Sequence, residues 1–365
     1  MGELDRMENI EKSGPVILLE CTLRDGSYSI DYQFSADETR NISKALADAG
    51  FKLIEVGHGL GFGGSDGGFG KAKETDFDYV SAGADGVSET GSLIGYFFIP
   101  GLGNISDIKK ARDVGLGFIR VGTNVSEFDQ AKEAIVESKK CGLITCGNLM
   151  KSYAVSARKF GEICADIESY GADMISLVDS AGGMLPHEVE KYCASALDKI
   201  NVPLGFHGHN NFQLAAANCI SARNAGARVL DVSIRGMGRS AGNAQTEIMV
   251  AIMEKLGEAT GIDLIKTMDI GEKFIAPLMP SQKGVDDVAV AVGLGRFHSS
   301  FLPRVKMAAD ETGVDLRELI MRVGEEDVVN PENELIMELA REMQRRPRTF
   351  RYPHMVKFDD DGDEK

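Results

Sequence analysis

The sequence predicts an α/β protein: a (β/α)8 TIM barrel with a small C-terminal helical domain. Two observations carry the prediction. From residue 16 to about 257, short β-branched runs alternate with amphipathic stretches, the pattern of parallel strands joined by crossover helices. Eight such strands over about 240 residues match the size of a closed (β/α)8 barrel. In addition, the residues able to do chemistry follow strand ends, where such a barrel collects its catalytic groups on one face. A doubly wound open sheet is the structural alternative.

The elements run as follows. Residues 16–21 form the first strand and lead into Arg24 and Asp25. A helix over 36–49 ends at Gly50, and the strand over 53–57 leads to His58. Strands follow at 93–99, 118–122 and 143–150, with helices over 107–114 and 127–140 between them. A helix over 157–170 precedes the strand at 174–179, which ends at Ser180; a helix over 186–199 precedes the strand at 202–206, which ends at His207 and His209. The helix over 214–225 and the strand at 229–233 complete the set, followed by the glycine-rich stretch 236–242. Gly50, Gly142, Gly171 and Gly226 close helices, each supplying the left-handed residue of a C-cap.

Beyond residue 257 the pattern changes to a helix over 262–278, a loop over 280–295 and further helices over 299–323 and 332–345. The chain therefore divides into an N-terminal extension (1–15), the barrel (16–260), a helical C-terminal domain (261–350) and an acidic tail (351–365). The basic run 341–351 reads as a solvated helix end, with a contact surface for another subunit as the alternative.

Hydrophobic residues make up 43% of the 365, enough for a large core. The formal net charge of −16 argues against nucleic acid and anionic membrane surfaces as partners. Six cysteines (21, 141, 146, 164, 193 and 219) are scattered without a CxxC pair and read as reduced, buried thiols. The N-terminus lacks the apolar core of a signal peptide and no run suits a membrane helix, so a soluble cytoplasmic protein is expected.

The chemistry concentrates in two stretches: Cys-Thr-Leu-Arg-Asp-Gly at 21–26 and His-Gly-His at 207–209. Side chains alternate along a strand, so His207 and His209 face the same way and can chelate a cation. Asp25, from another strand end, completes a two-His-one-carboxylate set with open positions for substrate. Arg24, permanently charged, would neutralise an oxyanion beside the metal. Mn2+ or Mg2+ suits this donor set, with Co2+ able to substitute. Two tempting motifs do not fit. The G-x-G-x-x-G at 59–64 opens no helix for a pyrophosphate, so it reads as an active-site loop. The G-x-S-x-G at 238–242 follows the last barrel strand, and a serine hydrolase would leave the Arg-Asp and His-x-His pairs unexplained.

Residues 21–31, 54–70, 179–184, 207–211 and 236–247 together resemble the metal-dependent aldolase and lyase barrels that carry Arg-Asp-Gly after strand one. These include 3-hydroxy-3-methylglutaryl-CoA lyase, the isopropylmalate and homocitrate synthases and 4-hydroxy-2-oxovalerate aldolase. The last is the best match. It shares Ile-Glu-Val-Gly-His-Gly at 54–59, Asp-Ser-Ala-Gly-Gly-Met at 179–184, Gly-Met-Gly-x-x-Ala-Gly-Asn at 236–243 and His-Ser-Ser-Phe-Leu at 298–302. The resemblance covers roughly 16–345. It implies Asp25, His207 and His209 as metal ligands, Arg24 as the group that holds the pyruvate enolate, and Ser180 as a substrate contact. Asn243 takes a position that can assist the metal in the lyase branch. Arg24, Asp25, Ser180, His207 and His298 would together contact substrate. The C-terminal domain would dock an acylating aldehyde dehydrogenase, and a homo-oligomer is expected.

This chain departs from the family pattern at one pair. The family has a histidine shortly after the Arg-Asp-Gly and a tyrosine just before Ser-Ser-Phe-Leu; here Tyr28 and His298 stand there, the types exchanged. His298 is then the expected general base, or orders the water that is, with Tyr28 orienting it by a hydrogen bond, and His58 is the next candidate. An acidic limb about a unit either side of pH 6.5 would follow. The expected reaction is reversible cleavage of a 4-hydroxy-2-oxo acid to pyruvate and an aldehyde. The alternatives are a Claisen-type condensation of an acyl-CoA with a 2-oxo acid and a catalytically weak scaffold subunit.

Overall fold

The structure, a computed structural model, describes residues 14–279 and 285–345. Eight parallel strands close into a barrel in chain order: β1 (Ile17–Glu20), β2 (Leu53–Glu55), β3 (Leu93–Phe98), β4 (Phe118–Asn124), β5 (Ile144–Met150), β6 (Met174–Asp179), β7 (Leu204–Gly208) and β8 (Val229–Val232). Closure is direct, with β1 pairing β8 in the register Ile17↔Val229 to Glu20↔Val232. Helices α1 (Ala36–Ala49), α2 (Asp76–Val87), α3 (Ile105–Asp113), α4 (Ala131–Lys140), α5 (Ala157–Ser169), α6 (Pro186–Leu197), α7 (Ala215–Asn224) and α8 (Thr246–Lys255) alternate with the strands.

Local chemistry sets these boundaries. Ser35 opens α1 with a capping box to Glu38, and Gly50 closes it at a φ of 111° that a side chain would resist. Thr75 and Asp78 form the same box for α2, which fills an interval without a clear apolar repeat. Strand alternation layers the barrel interior. Leu19, Leu53, Phe118, Ile144, Met174 and Val229 form an apolar plug. Two residues further along three of these strands, Glu55, Arg120 and Asp231 continue the same inner face as a buried charged layer beneath the mouth.

The C-terminal region differs from the sequence reading in detail. The expected loop over 280–295 contains a helix, α10 (Asp287–Leu294), short and almost uniformly apolar, so that no stripe marks it. The expected helix over 299–323 is two, α11 (Leu302–Thr312) and α12 (Leu316–Glu326), broken at Gly313 with a φ of 71°. The helix expected over 262–278 is α9 (Leu264–Ile270) followed by π and 3-10 turns. α13 (Asn333–Arg345) completes the chain's described part. Ile270 and Ile275 join the barrel's apolar cluster, whereas Val292, Phe297, Val305, Leu319, Ile320 and Ile336 form a second one.

That second cluster docks on the barrel mouth. Asn211 Nδ2 donates to Ala289 O at 2.9 Å, Arg296 meets Glu188 at 3.2 Å, and Lys151 Nζ donates to Val329 O. The packing is close enough that a Cβ on Gly183 would lie 2.2 Å from Gly293 O. The extension over 1–15 is described only from residue 14, and the basic run 341–351 only to 345; the acidic tail 351–365 lies outside the described residues. Among the described residues, no helix is long and apolar enough to cross a membrane. The six cysteines form no disulfide, and all but Cys141 are buried.

Candidate active site

A cavity of about 850 Å³ opens at the C-terminal mouth of the barrel, and Arg24, Asp25, Tyr28, Ser180, His207, His209 and His298 all line it. Residues spread over 275 positions of sequence thus meet at one place because parallel strands deliver their C-terminal ends to the same face.

After β1, the backbone N–H groups of Arg24 and Asp25 both bond Cys21 O, in a turn that aims the two side chains into the mouth. Arg24 Nη1 donates to Asp25 Oδ1 at 2.7 Å and Nε to Glu55 Oε2 at 2.8 Å, with the guanidinium 4.9 Å from the Phe97 ring centroid. The guanidinium is therefore fixed on two carboxylates and one aromatic face. Burial alone would raise the Asp25 pKa, but Arg24, and after it His209 and His207, hold the carboxyl well below the usual range.

Each histidine of the His-x-His pair is held by its Nδ1. His207 Nδ1 lies 2.8 Å from Asp231 Oδ2, a bond in which the imidazole donates and leaves Nε2 with a free lone pair. His209 Nδ1 lies 3.3 Å from Gly242 O, at the longer end of hydrogen-bond range. Asp231 is itself anchored by Arg120, whose Nη1 is 2.6 Å from Oδ2 and 3.3 Å from Glu55 Oε2, while Nη2 donates to Asn148 at 2.6 Å. A buried charge chain thus joins Arg24 to His207 through Glu55, Arg120 and Asp231. Such a chain adds little net stability, since desolvation offsets its attraction, but it fixes the orientation of both ends.

One carboxylate oxygen of Asp25 and one ring nitrogen each from His207 and His209 lie within 4.8 Å of one another, all three residues buried. Asn243 adds a fourth polar group: Nδ2 donates to Asp25 Oδ2 at 2.7 Å, while the buried Oδ1 has no partner. A compact set of two imidazoles, one ionised carboxylate and a spare amide oxygen has the chemistry a hard or borderline divalent cation requires. Burial first, and Arg239 second, push the His209 pKa well below the ordinary 6.5 and keep it neutral; its Nε2 stands 2.8 Å from Arg239 Nη2, so a metal at Nε2 requires that guanidinium to give way.

The exchanged pair is arranged differently from the expectation. Tyr28 and His298 both face the cavity, half-buried, yet no hydrogen bond joins them. Arg239 comes between: its Nη1 is 3.4 Å from His298 Nδ1, and its guanidinium lies 5.9 Å from the Tyr28 ring centroid. His298 Nδ1 instead receives the Ser300 N–H at 3.2 Å and stands 2.6 Å from Ser300 Oγ. Burial, then Arg239 and Lys151, push the His298 pKa well below 6.5, so the ring is neutral near pH 7. His58 does not reach the cavity. Its Nδ1 accepts from Leu60 N–H at 3.1 Å, its Nε2 meets Gly70 O at 3.1 Å, and its ring stacks on Tyr32 at 3.9 Å, so both nitrogens serve loop structure. Ser180 Oγ accepts from Lys151 N–H at 3.0 Å and so also braces the β5 end.

Five contributors were not singled out from sequence. Glu55, Arg120 and Asp231 carry a visible signal: charged residues at alternate positions inside apolar strands must be buried and paired. Arg239 and Lys151 carry none, being loop residues whose direction depends on backbone conformation.

Residues 15–274 match the HMGL-like family and residues 283–345 the DmpG-like communication domain. A 4-hydroxy-2-oxovalerate aldolase of Bacillus thuringiensis (strain Al Hakam) is 37% identical over 329 residues, covering 90% of this chain and 96% of that protein. Another 4-hydroxy-2-oxovalerate aldolase, from Geobacillus stearothermophilus, is 36% identical over 332 residues, covering 91% and 96%. Among solved structures, the carboxyl transferase domain from Rhizobium etli pyruvate carboxylase superposes with a TM-score of 0.75 at 17% identity. It covers 94% of this chain and 61% of that one, a likeness of fold.

Proposed function

The chain belongs to the HMGL-like family, and on that premise we propose that it is a divalent-metal-dependent aldolase cleaving a 4-hydroxy-2-oxo acid reversibly to pyruvate and an aldehyde. The observation that carries this reading is the three-ligand cluster beside Arg24 in a cavity large enough for a small oxo acid. It is strengthened by aldolase relatives matched over nearly their whole length.

Asp25, His207 and His209 would hold the metal. When bound, it supplies Lewis-acid polarisation of the 2-oxo acid and stabilises the negative charge that develops on cleavage. Mn2+ or Mg2+ is the proposed ion, with Co2+ able to replace it. Arg24, held by Glu55, presents its guanidinium where the pyruvate enolate oxygen gains charge, so its stabilisation needs no rearrangement during the reaction. Ser180 Oγ contacts substrate at the β6 end. The 4-hydroxyl proton passes to His298, directly to its ring or through Ser300 Oγ, which stands 2.6 Å from Nδ1. Tyr28 lines the cavity with its ring 5.9 Å from the Arg239 guanidinium.

The sign of the pH dependence follows from His298. A base works when neutral, and this imidazole stays neutral until the pH falls well below 6.5. The acidic limb of kcat/KM is therefore expected below the ordinary histidine range, lower than an unperturbed imidazole would place it. His298→Ala should remove most activity and erase that limb. A limb at or above pH 6.5, or one unchanged in His298→Ala, places the base elsewhere.

The region matching the communication domain suggests association with an aldehyde dehydrogenase, and we assign α10–α13 as its docking element. We further propose a homo-oligomer in the cytoplasm, where six unpaired cysteines are stable. The activity is tested by pyruvate release from a panel of 4-hydroxy-2-oxo acids with metal-loaded protein. Release from at least one member is expected, and none from any member counts against the reading.

A further inference from the structure

The chain as a whole carries a formal charge of −16, yet the cavity is lined by Arg24, Lys151, Arg235 and Arg239 against a single carboxylate, Asp25. Two of the four cations are neutralised: Arg24 by Asp25 and Glu55, and Arg235 by Glu272 at 2.8 Å. The other two have no salt bridge of their own. The hydrogen bonds of Arg239 all go to neutral groups, namely His209 Nε2 at 2.8 Å, Ser299 Oγ at 2.7 Å and His298 Nδ1 at 3.4 Å, and the nearby Asp25 carboxylate, already paired with Arg24, offsets its charge only in part. Lys151, 5% exposed, gives one of its three N–H donors to Val329 O and makes no salt bridge among the described residues, Glu127 and Asp327 acting on it only from a distance. A buried ammonium beside a half-buried guanidinium, neither in a salt bridge of its own, is costly, and an anionic ligand would complete such a pair.

The position of the two cations says which part of the substrate they meet. Arg239 Nη1 is 3.4 Å from His298 Nδ1, and Lys151 Nζ lies 5.2 Å from the Phe301 ring, itself 6.0 Å from the His298 ring, so both flank the group that receives the 4-hydroxyl proton. They therefore face the C4 side of the substrate, while Arg24 serves the end that becomes pyruvate. Lys151 and Ser240, on the same wall of the cavity, have φ of 56° and 57°, in the left-handed region that a side chain resists.

We propose that Arg239 and Lys151 form a second anion subsite that selects 4-hydroxy-2-oxo acids whose C4 substituent ends in a carboxylate. The proposal rests on the aldolase reading for the reacting end of the molecule. In the cleavage, the 4-hydroxyl proton leaves to the base and its electron pair becomes the C4=O bond. The C3–C4 pair passes to C3 as the pyruvate enolate, which then takes a proton. The products are pyruvate and an aldehyde that keeps the distal carboxylate. Arg239 offers that carboxylate a planar fork of donors, and burial, which pushes Lys151 down to about 8, makes its ammonium the better stabilised by an arriving anion.

Binding tests this without turnover. Calorimetric titration of the full-length, Mn2+-loaded protein would compare 2-oxopentanoate with 2-oxoglutarate and 2-oxoadipate, none of which carries the 4-hydroxyl needed for cleavage. The first two differ in replacing a methyl by a carboxylate. At least one dicarboxylate should bind about tenfold tighter or more than 2-oxopentanoate, a charge-assisted pairing being the added interaction. Arg239→Gln and Lys151→Met should each shrink that preference, with circular dichroism confirming the fold. Equal affinities in the wild-type protein overturn the proposal whatever the variants do, and a preference that survives both substitutions overturns the assignment to these residues. Pyruvate release from the 4-hydroxy counterparts is measured alongside. Failure to cleave either counts against the aldolase reading, while the binding preference still decides the subsite.

Discussion

His207→Ala should abolish aldol cleavage while leaving the barrel folded. With Nδ1 on Asp231, its Nε2 is the nitrogen left for the proposed metal, and its loss leaves one imidazole and one carboxylate, too few to hold a divalent ion in place. The fold has no comparable dependence on this side chain, since the barrel closes through backbone pairing and its apolar plug lies a layer below. One cost is foreseeable: Asp231 loses its imidazole partner, though Arg120 still pairs it at 2.6 Å. Metal titration by calorimetry, pyruvate release and a thermal melt separate these effects. Expected are lost metal binding, lost turnover and a cooperative melt; metal affinity and turnover near those of the wild type would remove His207 from the ligand set.

Arg24→Lys should lower kcat by about 10²–10³ with a much smaller change in KM, the range seen when one oxyanion donor is removed. Arg24 spends Nε on Glu55 and Nη1 on Asp25, and this two-point anchor leaves the planar fork facing the cavity. A lysine ammonium keeps the charge but cannot span both carboxylates and still meet a developing oxyanion. Steady-state kinetics on a cleaved 4-hydroxy-2-oxo acid would read the split. A raised KM with kcat unchanged would mean that Arg24 anchors the substrate equally in ground and transition states.

Much of this site is legible in the sequence. The period of two along β7 put His207 and His209 on one side, and the parallel pattern put Asp25 and Arg24 at the same mouth. The spacing could not supply what depends on loop conformation. Arg239 sits inside a glycine-rich stretch, where Gly242 has a φ of 83° and Ser240 of 57°, and no sequence periodicity says where such a loop points. It nevertheless takes the place between Tyr28 and His298 where a direct hydrogen bond was expected. His58 illustrates the opposite case. Its position after β2 suggested chemistry, but backbone groups of its own loop use both ring nitrogens. In the C-terminal domain, α10 escaped notice because a short helix packed between the barrel loops and α12 shows no polar stripe.

The central claim is that Asp25, His207 and His209 hold the ion on which pyruvate formation depends. The most direct measurement strips the purified wild-type protein with a chelator, removes the chelator, and follows pyruvate release before and after adding back Mn2+ or Mg2+. Activity should disappear on stripping and return with about one equivalent of metal per chain, as a single three-ligand site requires. Undiminished pyruvate release from the stripped protein would contradict the account.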